Sequence, residues 1–401
     1  MNHAPPMTLA RTLLLASTTF AIACGSDKTV TPPTNSGTLN TLGAGIVGER
    51  FTGEINVRGN YAYTTTWGFR SAVGNAVKIW NVSANIPVLV DSVIVANAST
   101  LGDVQVSDDG QLLIVATEFS PGSIMIYSLT DPTKPQLITR YTTALTDPGV
   151  HTSEVQRVNG KLYAFLCVDP GSASPARLVI VDLSNPAAPQ QVFTAAMGSP
   201  YVHDVFVRDG ILITALWNSG ITIWDIGGGG LGGSVANPAV IGSVITAGGK
   251  AHNVWWFHNA ISGEKRFAFV GEEGPGSIGA SSSGDIHVVD VSNFAAPHEV
   301  AFYHLDGAGT HNFSVDETRG ILYAAYYNGG VRAIDISADL SSCDAANRSA
   351  DGRCDLAKMG RELAHGPVNA GSVYVWGVQL IGGHVYASDM LNGIWKLDPV
   401  P

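Results

Sequence analysis

Residues 177–189 read RLVIVDLSNPAAP. Apolar residues run up to Asp182, and Asn185-Pro186 and Pro189 follow at once. A short apolar run closed by Asp and a proline-bearing turn is a strand leading into an edge strand, since proline fixes φ and interrupts pairing. The same pattern recurs on both sides of this stretch. It appears as AVKIWN (76–81), SIMIYS (123–128), GITIWD (220–225), DIHVVD (285–290), GVRAID (330–335) and GIWKLD (393–398). Seven copies stand about 45 residues apart at their closest and further apart where loops are inserted, a period that suits four strands per unit.

Each copy sits in the same context. Ahead of it comes an apolar stretch such as QLLIVATE (111–118), ILITAL (211–216), RFAFVGE (266–272) or ILYAAYY (321–327). Before that lies a run often closed by glycine, as in DVQVSDDG (103–110), HDVFVRDG (203–210) and HNFSVDETRG (311–320). After most copies a turn leads to a fourth strand. The alternation has period two, and no 3.6-residue pattern follows residue 38. Four antiparallel strands cannot bury both faces alone, whereas units stacked radially into a closed ring can. The expectation is an all-β, seven-bladed propeller. Its last copy ends at Pro399 with no room for a fourth strand, so part of Thr38–Val47 is expected to complete that blade.

LVIVD (178–182) followed by LSNPAAP (183–189) resembles the LVIVD repeat of bacterial secreted and surface propellers. IWDI (223–226) and VVDVSNFAAP (288–297) are weaker copies. The resemblance implies architecture over residues 50–400 and says little about chemistry, because propellers serve many functions. The aspartates that close the motif are expected to accept backbone hydrogen bonds in the following turn.

The composition agrees with many short strands and tight turns. Charged residues make up 14 %, with 46 Gly and 20 Pro among 401 residues, which excludes a coiled coil. A formal charge of −11 with no Lys/Arg cluster argues against nucleic acid as a partner.

Arg11 precedes the apolar run Thr12–Ala23, too short to span a bilayer as a helix and placed as a signal peptide is. Ala21-Ile22-Ala23-Cys24 resembles the bacterial lipobox, which implies cleavage before Cys24 and lipidation of its sulfur. The expected organisation is a signal peptide over 1–23, a flexible tether over 24–38 and the propeller over 39–401. The membrane is met only through the lipid, and the absence of Asp after Cys24 favours the outer membrane, on its periplasmic side or at the cell surface. In an oxidising compartment Cys343 and Cys354 are expected to form a disulfide, while Cys167, inside a strand pattern, is a small buried hydrophobe.

Four successive units open their innermost strand with histidine: His151, His203, His252 and His311. Equivalent positions converge on the axis, and four imidazoles facing one space are ligands for a transition metal such as Fe, Zn or Cu. The competing reading makes them framework residues that bond a neighbouring blade's backbone, since LVIVD-type repeats often carry His-Asp there. The first two blades offer Asp103 instead, and the last offers Trp376. Asp344, Asn347, Asp351 and Asp355 share one loop, but their spacing does not fit an EF-hand. A solvated, disulfide-closed loop is expected there rather than a Ca²⁺ site. Gly227–Asn237, Glu272–Gly284 and Ala338–Arg361 are long loops, the first expected to be mobile. Trp67 and Trp217 are candidates for peptide or sugar contact. No nucleophile elbow, P-loop or HExxH motif is present. The sequence therefore points to a module that binds a protein, peptide or glycan rather than to an enzyme, with a four-histidine metal site as the alternative.

Overall fold

A computed structural model describes residues 36–169, 175–198 and 200–401. The expected signal segment, Cys24 and the expected tether up to residue 35 lie outside the described residues. The described chain forms a seven-bladed propeller of four-stranded antiparallel blades. Blade 1 runs Phe51–Arg58, Tyr61–Trp67, Ala76–Asn81 and Val88–Ile94, from the axis outward. Blades 2, 3 and 4 begin at the axis with Thr100–Val106, Val150–Val158 and Asp204–Arg208. Blades 5, 6 and 7 begin with Ala251–Trp256, Phe313–Asp316 and Val375–Ile381. Each motif read from the sequence supplies the third strand of its blade. The one helical element among the described residues is a 3-10 turn at Ala345–Asn347, and no helix is long and apolar enough to cross a membrane.

Why the third strands are apolar on both faces is clear from the packing. One hydrophobic cluster fills the space between every pair of successive blades, the pair 7 and 1 included. Between blades 2 and 3, Ile114, Ile124 and Ile126 meet Val155, Leu162 and Val179. A middle strand thus touches a neighbour on each side, and each buried Val or Ile stabilises the ring by roughly 1.5–3 kcal/mol.

The ring closes as expected. Thr41–Ile46 pairs antiparallel with Gly393–Leu397 as the outer strand of blade 7, with Ile46 opposite Gly393. Gly45 is required there, because a Cβ would stand 2.5 Å from the Trp80 ring of blade 1. Just before it, Gly37–Thr38 adds a short parallel strand to the outside of Glu362–Gly366 in blade 6. Cys354–Asp355 does the same on His298–Tyr303 in blade 5, and the Cys343–Cys354 disulfide ties this edge down. Cys167 is a free, buried thiol.

The motif-closing residues make the turns. Asn81, Asp182, Asp290 and Asp335 each accept the backbone N–H two residues on. Asp225 does more, and here the expectation of a mobile loop fails. Its carboxylate accepts N–H groups from Gly227, Gly229, Leu231 and Gly233, so the glycine-rich segment is wound around one buried charge. The glycines serve close approach: a Cβ on Gly233 would lie 2.1 Å from the Asp225 carbonyl oxygen. In the 344–355 loop, Asp351 is taken up by Ser349 and Arg353, and Asp355 by Lys358. These side chains form no metal-ligand cluster among the described residues.

Candidate functional site at the propeller axis

Inner strands enter at the face where each outer strand passes to the next blade. At that entrance the pairing with the second strand is irregular. The register shifts across His151 in blade 3 and across His252 in blade 5, and likewise across Glu54, Asp103 and Trp376 in blades 1, 2 and 7. A bulge leaves its residue out of the ladder and re-aims the side chain. In this way the fold points a polar or aromatic group at the axis in these five blades, while in blades 4 and 6 the pairing is regular and His203 and His311 come just before the inner strand.

The four sequence-predicted histidines stand side by side in an arc. Ring centroids are 4.2 Å apart for His151 and His203, 4.2 Å for His203 and His252, and 4.1 Å for His252 and His311. Trp376 extends the arc 4.5 Å from His311. Their donor atoms do not converge on a single four-histidine point. They group in threes with carboxylates, His203 and His252 with Glu273, and His151 and His203 with Asp169, each set within 4.8 Å. His311 joins neither set.

No backbone hydrogen bond of good geometry holds these rings, although the Trp376 backbone of blade 7 stands beside His311. Both ring nitrogens of His252 and of His311, and Nδ1 of His203, are buried with no hydrogen-bond partner among the described residues. His252 is 2 % exposed and His203 6 %. Burial drives His203 and His311 well below the usual histidine range and His252 down to about 3. His151 behaves differently. Burial opposes its charge, but Glu118, 2.7 Å from Nδ1, outweighs it and raises it to about 10.

Three carboxylates at this site, Glu118, Asp169 and Glu273, were not singled out by the sequence reading. Each follows or ends a second strand, in blades 2, 3 and 5, so aligning the ends of those strands is the signal that finds them. Trp67 and Trp217, expected as contact residues, stand at the same level in blades 1 and 4. His203 stacks on Trp217 at 5.2 Å, Tyr201 meets Trp217 edge-on at 5.3 Å, and Trp67 lies 5.6 Å from Trp376.

Together these groups line a funnel of about 430 Å³ at the entrance face, bounded by Trp67, Glu118, His151, Asp169, Tyr201, Trp217, Glu273 and Trp376. Below the histidines an axial channel of about 380 Å³ continues past Glu54, Asp103, Glu154 and Asp204. Burial, with Asp103 nearby, raises Glu54 and Glu154 to about 8. The whole axis is therefore acidic, aromatic and imidazole-rich, with no Lys or Arg lining funnel or channel among the described residues.

The family model for the LVIVD repeat matches residues 173–196 and 280–304, which hold the third and outer strands of blades 3 and 5. This is a propeller that carries LVIVD repeats. The second match contains the weaker copy at 288–297, and the copy at 223–226 lies outside both. No curated protein matches the chain. Among solved structures, Sqt1 of Saccharomyces cerevisiae is similar at 10 % identity, with a TM-score of 0.54 over 90 % of this chain and 86 % of that one. At that identity the likeness concerns the fold alone.

Proposed function

We propose that this LVIVD-repeat propeller is a binding module whose funnel holds a segment of a peptide or glycan, on a protein carried in the cell envelope by lipid at Cys24. The observation that carries this reading is the pairing of aromatic faces with carboxylates at the axis. Trp67, Trp217, Tyr201 and Trp376 offer flat apolar surface, and Glu118, Asp169 and Glu273 stand beside them as acceptors. Aromatic faces pack against the C–H faces of sugars and against cationic side chains, while carboxylates take hydroxyl or ammonium hydrogens. With no Lys or Arg in the lining, and with His151 held by Glu118, the funnel favours neutral or cationic ligands over phosphates.

The export reading is supported by the apolar run ending in Ala21-Ile22-Ala23-Cys24 and by a disulfide, which suits an oxidising compartment. Two experiments test the proposal. Immobilised glycans and basic peptides are screened against the protein and against Trp217→Ala and Trp67→Ala. A ligand whose affinity falls about 10-fold or more in either variant supports the funnel, since a buried aromatic contact contributes on this order. Binding that ignores both variants moves the site elsewhere. For the anchor, metabolic labelling with a fatty acid is expected to mark the protein and to fail in Cys24→Ala, and persistent labelling refutes the attachment point.

A further inference from the structure

We propose that His203, His252 and Glu273 form a binding site for one divalent first-row transition-metal ion, with a further coordination position facing the funnel. The three residues come from two adjacent blades and converge without help from any flexible loop tip. His203 immediately precedes the inner strand of blade 4, His252 lies on the bulge of the inner strand of blade 5, and Glu273 follows the second strand of blade 5. Their ligand atoms all lie within 4.8 Å of one another, and all three residues are buried. Donors on one tetrahedral zinc stand about 3.4 Å apart at bond lengths near 2.1 Å, so closure asks for about 1 Å of side-chain movement.

Three features separate this set from an incidental cluster. First, His252 offers two buried ring nitrogens with no partner among the described residues, a cost that a framework residue of apolar type would avoid. Second, Glu273 is oriented: the Tyr327 hydroxyl donates to Oε1, leaving Oε2 directed at His203 Nε2, 3.5 Å away. A ligating carboxylate held through its other oxygen is the usual support around a metal. Third, two imidazoles and one carboxylate suit zinc, iron or copper rather than calcium or magnesium, which prefer oxygen alone. The neighbouring triplet of His151, Asp169 and His203 competes for the same imidazole, but His151 Nδ1 is already engaged by Glu118. The site does not depend on which polymer the funnel takes, and its test uses no such ligand.

The full chain, purified without a polyhistidine tag and stripped with a chelator, is titrated with Co²⁺ alone and then with Zn²⁺ as competitor. Expected are uptake of one equivalent, visible ligand-field bands from nitrogen and oxygen donors, and their loss when Zn²⁺ displaces the cobalt. His252→Ala and Glu273→Gln are expected to abolish the bands. Tyr327→Phe, which keeps the packing volume, is expected to weaken binding by about 10- to 100-fold and so serves if the ligand variants do not fold. Circular dichroism establishes folding in each case. Absence of Co²⁺ uptake by the folded protein overturns the proposal, as does uptake unchanged in the folded variants. Loss of metal in Asp169→Asn with retention in Glu273→Gln overturns the assignment by moving the ion to the neighbouring triplet.

Discussion

The glycine-rich loop of blade 4 gives a sharp prediction through Asp225→Asn. Oδ1 of Asp225 accepts the Gly227 and Gly229 N–H groups at 2.8 Å each, and Oδ2 accepts Leu231 at 2.7 Å and Gly233 at 3.1 Å. These donors, the Gly229 and Gly227 amides foremost, hold the carboxyl well below the usual carboxylate range. A depressed folded pKa means that its stabilisation is present above the unfolded value and is lost only in strong acid. Asparagine keeps one acceptor and turns an NH₂ group against two N–H donors. Two charge-assisted bonds are lost, each contributing about 1.5–3 kcal/mol, while water reaching the exposed glycines recovers part, so a loss of about 3 kcal/mol is expected. With an unfolding entropy of about 2.1 cal/mol/K per residue, this lowers Tm by about 4 °C in a domain of this size. Asp182→Asn is the control, because its turn uses a single N–H, from Ser184, and Asn81 already does the same task in blade 1. Calorimetry with hydrogen exchange at Leu231 and Gly233 reads the effect. Equal losses in the two variants would refute the idea that the loop is organised by the charge.

Other outcomes follow from the ion pairs and close contacts of the blades. His287 is buried, yet Glu272 and Glu299 together outweigh that burial and raise it from 6.5 to about 9. Its contribution is complete below pH 6.5 and is lost as pH rises through 9, so the urea midpoint should fall over that window and His287→Gln should flatten the fall. Arg332 pairs with Glu362 at 3.0 Å inside blade 6, and Arg332→Met, which removes the cation but leaves the Tyr303 hydroxyl and His365 on the carboxylate, should cost about 1.5–3 kcal/mol in chemical denaturation. Gly45→Val should drive a side chain into Trp80 and loosen the outer strand of blade 7, read as faster proteolysis within residues 36–47 and a lower Tm, with unchanged values refuting the tight approach.

The sequence carried the architecture because the ring repeats one requirement seven times: an apolar middle strand touched on both faces, then a residue able to take the turn's N–H. It carried the histidines for the same reason, since equivalent positions of a closed ring must meet at the axis. The carboxylates were hidden because the position after or at the end of the second strand is not uniform. Blades 2, 3 and 5 place an acid of the site there, blade 7 places Asp389, which is spent on Tyr374, Leu391 and Trp395, and blades 1 and 4 place Trp67 and Trp217. A repeat search sees what recurs, and Glu273 does not. The loop after Asp225 misled through composition. Glycine signals freedom in an unfolded chain, whereas here positive φ at Gly227 and Gly230 and the crowded Cβ positions make it the residue a fixed loop demands. The pairing of Cys354–Asp355 onto blade 5 is two residues long, too short to leave a period in the sequence.

The pairing of Thr41–Ile46 with Gly393–Leu397 also governs when the molecule can exist. Every other blade is built from neighbours in the chain and can form as the polypeptide lengthens, but this sheet joins its two ends. Loop-closure entropy for so distant a contact must be met by one strand of six residues, so the ring forms last and nearly all at once. Until then blades 1 and 7 present raw edges. The histidine arc stands on consecutive blades 3 to 6 and does not cross that seam, whereas the meeting of Trp67 in blade 1 with Trp376 in blade 7 does.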